Sequence, residues 1–207
     1  AHRVAWINAT YITEDSDALA AEYGARGTEM AVRYALDAAR YQQAPGLSAE
    51  QKRQLTMLRA AITLPAPTTA GAAQQLSDIS TRLGSLYAKG KGTRGGQPIN
   101  GSDIEAAMSE SRNPAELQEM WTSWHDNVGA PMRGDYARMT GIANQGAKEL
   151  GFADTGTMWR SNYDMPPEEF ARLTDKLWSE VKPLYVALHT YVRRKLNEKY
   201  GDAVQSK

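Results

Sequence analysis

From Pro166-Pro167 to Gly201 the chain keeps one helical rhythm. Phe170, Leu173, Leu177, Val181, Leu184, Leu188, Val192 and Leu196 recur every three or four residues, which stacks them along one side of an α-helix. Proline suits a helix start and glycine suits its stop. Pro183 lies inside and predicts a kink, because proline lacks the N–H that the ladder needs.

The rest of the chain repeats this pattern with different boundaries. Residues 16–43 are Ala-rich, with Leu19, Tyr23, Met30, Tyr34 and Tyr41 on roughly helical periods. Ser48 and Gln51 form a capping-box pattern ahead of Leu55, Leu58 and Ile62, and Pro65 and Pro67 end that helix. Leu76, Ile79, Leu83 and Leu86 make a further stripe. "KGKGTRGGQPING" (89–101) then reads as a flexible, Gly-rich connection. Ser102 with Glu105 predicts another capping box, and Asn113-Pro114 an N-cap followed by an N1 proline. Leu117, Met120, Trp121, Trp124 and Val128 make one apolar stripe, in which Trp121 and Trp124 read as core anchors. Tyr136, Met139, Ala143, Ala147 and Leu150 make the next, stopped by Gly151. Strand-like alternation is nowhere sustained. The expectation is an all-α fold, divided into residues 1–101 and 102–207 about the Gly-rich stretch.

Charge excludes one class of partner. The 207 residues hold 24 basic and 24 acidic side chains. A neutral chain has no field to drive nucleic-acid binding. Lys89, Lys91 and Arg94 read as a solvated loop. Cysteine is absent, which removes disulfides, thiolate chemistry and Cys-based zinc sites. No apolar run reaches the length of a membrane span. The start at Ala1 without Met reads as a processed or trimmed product.

The residues assemble no catalytic apparatus. Histidine occurs only as His2, His125 and His189, with no HExxH and no pair four apart. GxSxG is missing, and "GKGTRGG" lacks the Ser or Thr that a Walker loop needs. Glu168-Glu169 and Asp15 with Asp17 are acids in first helical turns, where the helix dipole favours them. Asn8-Ala9-Thr10 and Asn100-Gly101-Ser102 match the glycosylation acceptor pattern. No catalytic residue and no metal ligand is therefore assigned in this chain.

"GFADTGTMWRSNYD" (151–164) and "LWSEVKPLYVALHTYVRRKLNEKYGD" (177–202) carry a resemblance. Asp154, Gly156, Trp159, Arg160, Ser161 and Tyr163 fit the first block. Leu184, Tyr185, Leu188, His189, Tyr191, Val192, Arg193, Arg194, Leu196, Tyr200 and Gly201 fit the second. "MWTSWHDNVGAPM" (120–132) and "AWINATYIT" (5–13) fit further segments. The chain resembles the M2 family of zinc peptidases, the angiotensin-converting-enzyme-like peptidyl-dipeptidases. The likeness is weak over 16–100 and strong over 117–202.

The resemblance implies an N-terminal fragment of a large helical ellipsoid. Residues 1–101 would supply lid helices and the Gly-rich loop over a deep central cleft. Residues 102–207 would form a half-shell packing on the missing catalytic part. It further implies zinc, with ligands outside this chain, an oligopeptide substrate, and a secreted or periplasmic enzyme. Tyr163 would contribute to a chloride site, sharing the ion with an arginine from the missing part. His125 stands where the family has an arginine for another chloride site, so that site is expected to be lost. Arg160 is expected to pair with a carboxylate or stack on Trp159. Missing cysteines point to a bacterial-type member. Lys207 is a residue after which trypsin-like proteases cut, which fits a nicked enzyme whose C-terminal part is a second chain. The alternative is an autonomous, non-catalytic helical interaction module.

Overall fold

The computed structural model describes residues 2–202 and Gln205. Ala1 and Lys207, the ends that enter the sequence reading, lie outside them. The elements in order are α1 (His2–Thr10), α2 (Glu14–Tyr41), α3 (Ala49–Ala60), α4 (Ala72–Lys89), β1 (Lys91–Arg94), β2 (Gln97–Asn100), α5 (Gly101–Glu110), α6 (Pro114–Trp124), a π-helical turn (His125–Gly129), α7 (Ala130–Glu149), α8 (Thr155–Arg160) and α9 (Pro167–Tyr200). The all-α expectation holds, with one small hairpin added. The chain divides into two compact units, Ala1–Asn162 and Tyr163–Lys207.

In the first unit, α2 packs on α4 and α3, and α4 packs on α7. The core face of α2 is made of small residues. Ala21, Ala25, Val32, Ala35 and Ala38 are buried, while Tyr23, Met30, Tyr34 and Tyr41 are exposed. Short side chains let the helix axes approach closely. Larger residues on α4 and α7 then fill the space: Leu76 packs with Ala25, Ala66 and Ala73, with Met139 and Ile142 laid against them. Ile79 and Leu83 pack with Val128 and Met132.

Caps set most helix ends. Ser48 and Gln51 form the expected reciprocal box. Asn113 caps α6 ahead of Pro114. Gly151 adopts φ +87°, and α7 closes in a Schellman turn. In that turn the Phe152 N–H donates to the Ala147 carbonyl, and Gly151 N–H to Lys148, both at 3.0 Å. The cap of α5 differs from expectation. Asn100, two residues before Ser102, accepts the Asp103 N–H at 2.9 Å and takes the N-cap role. The helix therefore begins at Gly101, and Ser102 falls inside its first turn.

Residues 89–101 are a hairpin rather than a flexible connection. β1 and β2 pair antiparallel from Lys91↔Asn100 to Arg94↔Gln97. Gly95 and Gly96 turn it with φ +59° and +74°, the left-handed pair that a tight hairpin demands. α6 holds it down. Glu119 accepts both the Gly95 and Gly96 N–H groups at 2.9 Å. Ser123 accepts the Thr93 N–H at 2.8 Å, and Arg94 pairs with Glu116 at 2.5 Å.

In the second unit, α9 runs unbroken through Pro183. Its C-terminus is capped by Gly201, whose N–H donates to the Asn197 carbonyl at 2.8 Å. Asn197 is buried and donates to the Gln205 carbonyl at 2.7 Å.

Candidate functional site

The corner between α7 and residue 163 holds the densest part of the motif. Asp154 is the N-cap of α8, accepting the Thr157 N–H at 2.6 Å. That backbone donor, then the Thr157 hydroxyl and the nearby Arg160 charge, hold the Asp154 carboxyl below its ordinary pKa. The Thr155 N–H reaches back to Asn144 on α7 at 3.1 Å. Met158 is fully buried against Ala35, Ala147 and Leu150. Trp159 keeps an exposed ring, while its indole N–H donates to the Thr63 carbonyl at 2.7 Å. Asn162 donates to the Ala60 carbonyl at 3.1 Å. Arg59 completes the joint from α3: it donates to Leu150 O at 2.9 Å and to Gln42 at 2.6 Å, and lies over Phe152. The polar-aromatic block thus fastens the end of α3 and the end of α7 to α8.

Arg160 departs from expectation. Its guanidinium lies 3.4 Å from the Thr157 hydroxyl, and neither a carboxylate ion pair nor a stack on Trp159 is formed among the described residues. Its Nε is buried without a partner. Trp121 is also corrected: it is 53% exposed and stacks on His125 with centroids 3.9 Å apart. Trp124 does anchor, lying against Ile104, Ala107 and Met120. The His125 Nδ1–H donates to the Trp121 carbonyl at 2.6 Å, which fixes its tautomer. The extra residue of the π-helical turn begins there, and no side-chain pattern in the sequence announces it.

Tyr163 belongs to the second unit. Its ring is 53% exposed and stacks on Phe170 at 3.9 Å. One phenol hydroxyl on a half-open surface does not make an anion site; a buried anion needs several donors and a cation. Zinc fares likewise. Among the described residues no three His, Cys, Asp or Glu side chains converge as a metal site. Taken alone, the described residues of this chain complete neither a zinc nor an anion site, and no chemical step in this chain runs through one.

The most telling surface is α9. Leu173, Leu177, Val181, Leu184, Leu188 and Val192 are all exposed, Leu184 at 72%. They share one face over most of a 34-residue helix, roughly 50 Å long at 1.5 Å per residue. Trp178, Tyr185 and Tyr191 widen the stripe. An apolar band of this extent marks an interaction surface. Arg194 and Lys195, each paired with Glu198, end the band with charge.

Fold and surface together define a helical protein that exposes a long apolar face on α9. Comparison with known sequences gives the class. The chain matches the M2 peptidase family, described as angiotensin-converting enzyme, over residues 1–207. It is 28% identical over 211 residues to the angiotensin-converting enzyme of Haematobia irritans exigua, covering 99% of this chain and 34% of that protein. It is 42% identical over 100 residues to that of Mesocricetus auratus, covering 48% of this chain and 8% of that protein. The Oryctolagus cuniculus enzyme is 33% identical over 133 residues, 62% of this chain and 10% of that protein. This chain belongs to the M2 family of metallopeptidases. It spans about a third of the Haematobia relative and a tenth or less of the two mammalian ones. No helix among the described residues is long and apolar enough to cross a membrane.

Proposed function

We propose that the chain is the N-terminal part of a zinc-dependent peptidyl-dipeptidase that releases C-terminal dipeptides from oligopeptides, in a secreted or periplasmic, bacterial-type enzyme. The catalytic zinc motif lies outside this chain, in a C-terminal part that is a second chain if the enzyme is nicked. The uncovered apolar stripe of α9 carries this reading. Leaving it open to water costs about 25 cal/mol per Å² of apolar area, so burial against the companion is strongly favoured. In the assembled enzyme, a zinc held by residues outside this chain would act as a Lewis acid on the scissile carbonyl. This chain's share is steric and positional. Residues 1–101 act as a lid that admits oligopeptides, and residues 102–207 present the half-shell to the companion. Tyr163 donates its hydroxyl to a chloride whose cation comes from the companion.

The test is co-expression with the C-terminal part, followed by zinc analysis and mass spectrometry of oligopeptide products. Dipeptide release and bound zinc in the assembly, with neither in this chain alone, is the expected result. Assembly without hydrolysis overturns the activity.

One observation favours the second reading, an autonomous helical module. The first unit has buried clusters of its own, from Ala25 and Leu76 to Ile104 and Met120. A monomeric, cooperatively melting chain that ignores the C-terminal part would favour it.

A further inference from the structure

We propose that the pocket between α2 and residues 66–73 binds an apolar dipeptide, holding its carboxylate with Arg33 and its ammonium with Glu29. The pocket has a volume of about 270 Å³. That is just below the range of drug-sized sites, and it suits a smaller ligand. Its two walls differ in origin. Glu29, Val32, Arg33 and Leu36 line one wall, at the i, i+3, i+4, i+7 spacing of a single helical face. The other wall is the segment that leads into α4.

That second wall is pinned in place. The Thr68 N–H donates to Glu149 on α7 at 2.7 Å. Ala72 N–H donates to Thr69 O at 3.1 Å, and Gly71 turns the chain at φ +80°. Gly146 of α7 lies directly against Pro65 and Ala66, leaving no room even for a methyl group. The cavity is therefore preformed, and little ordering cost falls on the ligand.

Its floor is apolar and its mouth is charged. Val32, Ala66 and Ala73 are buried at the floor. Alanine, proline and threonine leave open the volume that larger side chains would fill. At the mouth, Glu29 precedes Arg33 by four residues, the order that favours an ion pair on a helix. No such pair forms between them in this structure. The Arg33 guanidinium lies instead near the Tyr34 ring, 5.5 Å from its centroid. Opposite charges about 5–6 Å apart at their Cβ atoms, both exposed above an apolar floor, match a short zwitterion with an apolar side chain.

The choice of a dipeptide rests on the peptidase reading, of which it is the product class. The binding itself needs neither zinc nor companion, so it is measured on the full chain alone by equilibrium dialysis against radiolabelled alanyl-leucine. A Kd on the order of 1 mM is expected for a ligand of this size. Arg33→Gln and Glu29→Gln should each weaken binding at least fivefold with an unchanged circular-dichroism spectrum, and alanyl-leucine amide should bind the parent as weakly as the dipeptide binds R33Q. Ala73→Leu should remove binding by filling the floor. Absence of binding to the parent chain, or equal binding to parent, R33Q and E29Q, overturns the site. Free leucine binding as tightly as alanyl-leucine overturns the dipeptide assignment. Hydrolysis by the assembled enzyme is a separate result and bears on none of these outcomes.

Discussion

Gly146 and Gly141 lie five residues apart on α7, and the same substitution is expected to move stability in opposite directions. A methyl group at Gly146 would stand 2.6 Å from the Pro65 carbonyl carbon, 2.8 Å from that of Ala66, and closer still to the Pro65 oxygen. These are backbone atoms, in a segment that Thr68 and Glu149 tie to the same helix. No side chain can swing aside, so α7 or the segment must shift. Overpacking of this kind costs about 1–3 kcal/mol, and backbone obstruction places Gly146→Ala at the upper end. Gly141 is helical and exposed, with nothing within 4 Å of an added methyl. Gly141→Ala removes unfolded-state freedom and should gain about 0.4–1 kcal/mol. For a chain of 207 residues, 1 kcal/mol moves Tm by roughly 2–4 °C. G146A should therefore melt about 6–12 °C below the parent and G141A about 1–4 °C above it, followed by circular dichroism at 222 nm. A G146A variant melting within 2 °C of the parent would refute the close packing of α7 on residues 65–66.

Two further outcomes follow from charge and hydroxyl placement. The Gly96 N–H, then the Thr93 hydroxyl and the Gly95 N–H, lower the Glu119 pKa from its ordinary value. A depressed folded-state pKa means that the contact stabilises at pH above the unfolded value and is lost as pH falls through the folded one. Amide exchange at Gly95 and Gly96, corrected for intrinsic rates, should be slow at neutral pH and accelerate only once pH falls below the ordinary glutamate range, and Glu119→Ala should show the fast limit at pH 7; pH-independent protection would remove the clasp. Tyr163→Phe keeps the stack on Phe170 and deletes only the hydroxyl. It should blunt the chloride dependence of the assembled enzyme while leaving zinc content unchanged, and unaltered salt dependence removes Tyr163 from the chloride site.

Local signals in the sequence located most helix ends. Ser48 with Gln51, Asn113-Pro114 and Gly151 each satisfy orphan backbone groups with their nearest neighbours, so no distant contact is needed to read them. The hairpin escaped because its strands show no alternation; its signal was the Gly95-Gly96 pair alone. Its stability comes from Glu116, Glu119 and Ser123 on α6, more than twenty residues away. Asn100 against Ser102 was a competition between two good caps, decided by geometry. Trp121 and the tyrosines of α2 show a different limit. Periodicity reports that a face is apolar, and it is silent on whether this chain or another protein covers it. The motif at 154–163 was legible as a unit, yet its two ends separate: Trp159 fastens the first unit, while Tyr163 opens the second.

The absence of cysteine permits a direct test of whether α9 is a buried face of a larger enzyme. Leu184→Cys would place this chain's sole thiol at the centre of the stripe. Its alkylation rate is measured by mass spectrometry of this chain, alone and with the C-terminal part. Rapid labelling alone and at least a hundredfold protection in the mixture is the expected result. Equal rates under both conditions would contradict the claim that another part of the enzyme covers α9.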